Sequence, residues 1–263
     1  MVRNRLLTRW LYLLLPAAIA CAASSATASS PQPDAEKATS VELRIATAAN
    51  FYPTLTKLKR LYEKQSGHRI IIIRGSTGKL YAQIIRGAPY DIFLSADSHR
   101  ADKLVKQGKS LNAQSWVYAI GQLALWRADA DSSLQLREQL ESGNFKKLAI
   151  ANPRTAPYGK ASIQVLKSME LYESVKNKLV YGENISQTYQ FVQSGAADIG
   201  LVPRAYVKHD MYWEVDTWLH QPVKQKMLIL KQTEQPEQAK AFIDFLLSSD
   251  GKKIIVADGY QVD

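Results

Sequence analysis

Apolar positions along this chain recur in two periods, and the period switches again and again. Residues 41–47 (VELRIAT) alternate as a half-buried strand does. Asn50 can then cap a helix over 53–66, where Leu55, Leu58 and Tyr62 share one face and Gly67 supplies the stop. The β-branched run 69–74 predicts a buried strand. The turn Gly75-Ser76-Thr77-Gly78 follows, then a helix over 79–86, the turn Gly87-Ala88-Pro89, and a short strand over 91–94. Further on, helices are predicted over 99–108, 133–141, 160–171, 172–179, 186–194, 236–247 and 251–256. Strands are predicted over 116–126, 147–151, 180–181, 198–202, 213–218 and 225–230.

Strands and helices that alternate in this way indicate an α/β architecture, with helices covering largely parallel sheets. Two such runs, each with its own turns, indicate two lobes. The last helices have no sheet of their own and are expected back on the first lobe. The chain would then cross between lobes near 116–126 and again near 218–225. The expected division is 41–122 plus 226–263 for lobe 1 and 123–225 for lobe 2.

The first residues follow another pattern. Arg3, Arg5 and Arg9 precede the apolar run 11–20, and Ala26-Thr27-Ala28 forms a small-residue cleavage site. Residues 1–28 are therefore expected to be a secretory signal peptide, and 29–40 a flexible polar leader. Cys21 is the only cysteine and follows a loose lipoprotein-processing box. Cleavage after Ala28 is favoured and would leave a periplasmic chain without thiols; cleavage before Cys21 would leave a lipid anchor. In the 263-residue chain, 46% hydrophobic and 22% charged content suits a globular protein. Without the signal peptide's three arginines the net charge falls from +10 to +7. The excess is spread along the chain with acids interleaved, so no nucleic-acid partner is expected.

The candidate chemistry lies in four turns that open helices, at Asn50, at Ser76-Thr77-Gly78, at Tyr158-Gly159 and at Asn184-Ile185-Ser186. In α/β sheets such turns stand at the carboxyl ends of strands, where ligands bind. The first N–H groups of a helix lack intrahelical partners and favour an anion. Short hydroxyl and amide side chains add donors without adding charge. Taken singly, each turn is also an ordinary helix cap.

Other chemistries lack required residues. GSTGKL is not a phosphate-binding P-loop, because Ile73 stands where glycine is needed and Leu80 where Ser or Thr must follow Lys79. Ser76-Thr77-Gly78-Lys79 has the S-x-x-K form without its S-D-N and K-T-G companions. His68, His99, His209 and His220 lack metal-ligand spacing and are expected mostly at the surface, so no metal site and no cofactor are expected. Asp91 and Asp97 flank one strand as expected caps. Trp116, Trp126, Trp213 and Trp218 are assigned to core and lobe-interface packing.

The segment order resembles the periplasmic molybdate-binding proteins of ABC transporters, a branch of the type II solute-binding proteins. The resemblance runs from Leu43 to Tyr260, through ATAANF (46–51), GSTGKLYAQIIRGAPYDIFLSAD (75–97), YAIGQLALW (118–126), IANPRTAPYGKAS (150–162), GENISQTYQFVQSGAADIGLVP (182–203), PVKQKMLIL (222–230) and AFIDFLLSSDGKKII (241–255). It implies a two-lobe periplasmic-binding-protein fold of type II. Each lobe would be a mixed, mostly parallel sheet flanked by helices, with the ligand in the cleft. It also implies capture of molybdate, or tungstate of nearly equal size, and delivery to an ABC permease by a monomer. Carried over by position, the ligand shell would be Asn50 (serine in many members), Ser76, Thr77, and the backbone N–H groups of Tyr158 and Ile185. Many members place a tyrosine hydroxyl near 200–204; Pro203 stands there in this chain, so that contact is expected to be lost. The competing readings are a receptor for sulfate or phosphate, a hydrolase or transferase using Ser76 or Asp91, and an effector-sensing regulatory domain. The signal peptide, and the lack of a DNA-binding segment before the lobes, disfavour the last.

Overall fold

The structure, a computed structural model, describes residues 40–128, 133–207 and 211–262. The expected signal peptide, nearly all of the leader, Cys21 and His209 lie outside the described residues.

The first sheet has the strand order β2-β1-β3-β10-β4, formed by β1 (Glu42–Ala48), β2 (Arg69–Gly75), β3 (Ile92–Ser95), β4 (Trp116–Gly121) and β10 (Val223–Ile229). β1 runs parallel to β2 and β3, whereas β10 is antiparallel to β3 and β4. The second sheet, in the order β7-β6-β8-β5-β9, comprises β5 (Leu123–Trp126), β6 (Leu148–Ala151), β7 (Leu179–Gly182), β8 (Ile199–Pro203) and β9 (Tyr212–Glu214). Here β6 is parallel to β7 and β8, and β5 is antiparallel to β8 and β9.

Alternation along β1 explains the layering. Leu43 and Ile45 face the core under α1 (Tyr52–Ser66) and α8 (Pro236–Leu247), which buries Leu55, Leu58 and Phe242. Ala46, one residue on, faces the core under α2 (Thr77–Ile85) and α3 (Ser98–Lys106), with Leu80, Ile84 and Leu104. Helices on both faces bury both faces of the strand from Ile45 onward, while Glu42 and Arg44 at its start stay exposed. The second sheet is covered in the same way. Leu148 and Ile150 pack with Val165 and Leu166 of α5 (Pro157–Ser168), while Ala149 and Val202 pack with Val192 of α7 (Ile185–Gln193). α4 (Ser133–Ser142) and the short α6 (Tyr172–Val175) complete this lobe. α9 (Ser249–Ala257) returns to α1 and α8 on the first.

The apolar run 116–126 is not one strand. It breaks at Gln122, with β4 in the first sheet and β5 in the second. Both halves are buried in a core of their own, so hydrophobicity runs on across the break. The chain returns between Leu219 and Val223, and β10 begins earlier than the expected 225. The expected strand 213–218 is also shorter. β9 ends at Glu214, residues 217–219 form a 3₁₀ turn, and Trp218 is 74% exposed rather than packed. His220, expected at the surface, is buried, with Nδ1 2.8 Å from the Gln221 carbonyl. Asp91 and Asp97 are caps: Asp91 accepts from the Arg44 N–H and Thr233 hydroxyl, and Asp97 from the Arg100 N–H.

Candidate functional site

Four strands end at the cleft between the lobes, and a turn follows each one. After β1 comes a single 3₁₀ turn, Ala49–Phe51. After β2, Ser76 in extended conformation precedes α2. After β6, Ala156 precedes α5, which begins at Pro157 rather than at 160, because proline suits the first helical position. After β7, Asn184 caps α7 by accepting from the Gln187 N–H. Thr77, Tyr158 and Ile185 therefore occupy first turns, where N–H groups have no intrahelical acceptor. Gly159 lets α5 start this close to β6, since a methyl there would come within 2.7 Å of the Ala151 carbonyl carbon.

These turns enclose one small cavity, lined by Asn50, Ser76, Thr77, Tyr158 and Ile185 together with Ala48, Ala49, Ala156, Pro157 and Asn184. All five residues singled out from sequence line it. About 10 Å³ is open to the centres of water-sized atoms. Larger hollows of about 430 and 500 Å³ are also present, but charged side chains line them, Asp97, Arg100 and Lys160 in the first and Lys57, Arg60 and Asp258 in the second.

The side chains divide the work unevenly. The Ser76 hydroxyl is buried and has no hydrogen-bond partner among the described protein groups, and it does not cap its own helix. Thr77 Oγ1 accepts from the Ala96 N–H at 3.3 Å, and its own O–H proton is not used in that bond. The Asn50 amide is not a free donor. Its Nδ2 donates to Gln225 Oε1 at 2.7 Å and contacts the Tyr260 hydroxyl at 3.3 Å. Gln225 Oε1 also accepts from the Tyr118 hydroxyl at 3.0 Å, and Gln225 Nε2 reaches the Tyr158 hydroxyl at 3.4 Å. A neutral polar network thus forms the floor beneath the cavity.

No acid, lysine, arginine or histidine lines the cavity. Burial raises the ionisation of Tyr118, Tyr158 and Tyr260 far above the usual phenol range, and their mutual proximity raises it further. The floor therefore stays uncharged. The field at the cavity is that of the starts of α2, α5 and α7, all of which favour negative charge.

Tyr206 went unnoticed in the sequence. It lies beyond Pro203 in a 3₁₀ turn, and its hydroxyl donates to the Ala49 carbonyl at 2.7 Å and lies 2.9 Å from Ser186 Oγ. This tyrosine stands three positions beyond Pro203, and its hydroxyl is spent on Ala49 behind the cavity lining. Gln225 was missed because Lys224 and Lys226 make its stretch look like a solvated strand edge.

The cleft is drawn together across the cavity. The Gly78 N–H donates to the Thr155 carbonyl at 2.9 Å, and Arg100 Nη2 to the Arg154 carbonyl at 3.0 Å. Lys79 pairs with Glu183 at 2.6 Å. The sequence pattern that defines the bacterial extracellular solute-binding proteins matches residues 43–261.

The chain belongs to that family.

Among this solute-binding protein's relatives, the molybdate-binding protein ModA of Azotobacter vinelandii is 38% identical over 229 residues, covering 85% of this chain and 91% of the relative. That of Rhodobacter capsulatus is 36% identical over 229 residues, covering 84% and 89%. The solved structure of the Azotobacter vinelandii periplasmic molybdate-binding protein superposes with a TM-score of 0.80 at 34% identity, covering 84% of this chain and 99% of that one. No helix among the described residues is long and apolar enough to cross a membrane, and they contain no cluster of His, Cys, Asp and Glu that could hold a metal ion.

Proposed function

We propose that this solute-binding protein captures molybdate, or tungstate of the same size and charge, and hands it to an ABC permease. The carrying observation is the convergence of three helix starts and the unpartnered Ser76 hydroxyl on one cavity free of ionised side chains. A tetrahedral dianion has only acceptor oxygens, and this cavity offers donors without a counter-charge. Hydrogen bonds to a charged group contribute about 1.5–3 kcal/mol each. Several of them leave a surplus after the ordering costs of closure. Exclusion of sulfate, a smaller tetrahedron, would follow from donors fixed on rigid helix starts.

The protein acts by binding, needs no cofactor and works as a monomer. Asp91 is committed to Arg44 and Thr233, away from any reacting group, which disfavours the hydrolase reading. Export with cleavage after Ala28 would place it in the periplasm; acylation at Cys21 is the alternative that a mass measurement of the mature chain distinguishes.

Titration calorimetry of the purified protein with molybdate, tungstate, sulfate and phosphate tests the reading. Molybdate and tungstate are expected to bind tightly and sulfate far more weakly. Sulfate or phosphate binding as tight as molybdate would replace the proposal by a receptor for that anion.

A further inference from the structure

Tyr158 faces two ways. Its N–H belongs to the first turn of α5 at the cavity, while its phenol leaves the second lobe and enters the first. There it lies against Gly121, the last residue of β4, and against Gln225 of β10. A methyl at position 121 would overlap the phenol oxygen, standing 2.7 Å from Cζ and 3.0 Å from Gln225 Nε2. Gly121 has an ordinary backbone conformation, so glycine is required there only by this close approach. Gln225 in turn holds Asn50, which lines the cavity from the first lobe. The path from Asn50 through Gln225 to Tyr158 therefore leaves the cavity on one lobe and comes back to it on the other.

We propose that seating the Tyr158 phenol in the Gly121–Gln225 socket couples lobe closure to oxyanion capture, with Tyr158 acting as a positioning residue; this rests on the functional reading above. With the lobes apart, the phenol and Gln225 Nε2 are hydrated, and little is lost. With the lobes together, both give up water and bond to each other, so the interaction favours the closed form alone. Seating also fixes the start of α5, and with it the Tyr158 N–H that faces the anion. The burial that keeps the phenol protonated keeps the socket neutral and so compatible with a nearby dianion.

The test follows molybdate release by stopped flow and lobe closure by small-angle scattering, on wild-type protein, Gly121→Ala and Tyr158→Phe. Gly121→Ala fills the socket and is expected to speed release about tenfold or more, with the ligand-induced contraction reduced. Tyr158→Phe keeps the ring and the N–H and loses only the hydroxyl contact. It is expected to speed release roughly threefold to tenfold while the melting temperature of the ligand-free protein stays unchanged. If Gly121→Ala does not fold, Tyr158→Phe decides alone. A lowered ligand-free melting temperature with unchanged release would make Tyr158 a packing residue and overturn the inference, as would wild-type release and contraction in both variants. Wild-type protein that binds no oxyanion overturns the functional reading as well, so the two failures are distinguishable.

Discussion

Gly78 and Thr155 are joined by a backbone hydrogen bond of 2.9 Å that spans the cleft from the first turn of α2 to the loop before α5. Next to it in sequence, Lys79 and Glu183 also span the cleft, but both side chains are about half exposed, at 53% and 52%. The two contacts differ in what they can contribute. A solvent-exposed ion pair contributes about 0–1 kcal/mol and is screened by salt. Glu183→Gln is therefore expected to weaken molybdate binding by less than about fivefold, and by less still at high ionic strength. Calorimetry at two salt concentrations checks this; a large effect that ignores salt would assign Glu183 a different role.

Ser76→Ala separates binding from folding. The hydroxyl is buried without a protein partner, so its removal breaks no bond that holds the ligand-free fold. The melting temperature without ligand should hold or rise. Molybdate affinity should fall about tenfold or more. Unchanged affinity would show that Ser76 does not donate to the ion.

Thr77→Ala should behave differently, because Thr77 Oγ1 already accepts from the buried Ala96 N–H. Leaving that donor unpaired is expected to destabilise the ligand-free protein by about 1–3 kcal/mol, and Thr77→Ser should restore it. Denaturant unfolding of the two variants provides the comparison.

Tyr206→Phe removes one hydroxyl that serves Ala49 on one side and Ser186 on the other. Molybdate release is expected to quicken roughly threefold to tenfold, measured by stopped flow. An unaltered rate would confine Tyr206 to a local structural role.

The buried tyrosines set the alkaline limit of stability. In the unfolded chain phenols ionise near 10.0, whereas Tyr206 is pushed up to about 12, mainly by burial, and Tyr118 and Tyr260 well above the ordinary value. Above pH 10 the unfolded state binds fewer protons than the folded one, so stability falls as pH rises. Below pH 10 the contribution is fully present. Thermal unfolding across this range should show a flat region and then a decline of up to about 1.4 kcal/mol per pH unit for each such tyrosine. Tyr118→Phe should make that decline shallower.

Much of this was readable from residue order alone. The switch between strand and helix periods marked nearly every element, because each lobe buries its strands between two helical layers and so writes local periodicity into the chain. The turns at Ser76-Thr77, Tyr158 and Asn184-Ile185 were recognisable because helix starts need short or special residues; Asn50, expected to cap the first helix, lies in a 3₁₀ turn and gives its amide to Gln225 instead. What local pattern could not convey was which sheet each strand joins. The run 116–126 is uniformly apolar, yet Gln122 divides it between two sheets. Trp218 carries the apolar character of a core residue and points to solvent.

Chemical character was therefore set by the sequence: neutral polar groups at three helix starts and one 3₁₀ turn, and no charged group lining the cavity they enclose. The tertiary structure decided how each polar group is used. The Asn50 amide donates to Gln225, Thr77 Oγ1 accepts from the Ala96 N–H, Ser76 Oγ has no protein partner, and the Tyr206 hydroxyl donates to the Ala49 carbonyl. Hydrogen-bond partners are chosen by proximity in space, and Gln225 lies 175 residues from the Asn50 it holds. No local period encodes such a separation. Packing the two sheets around one cleft is what brings those residues together.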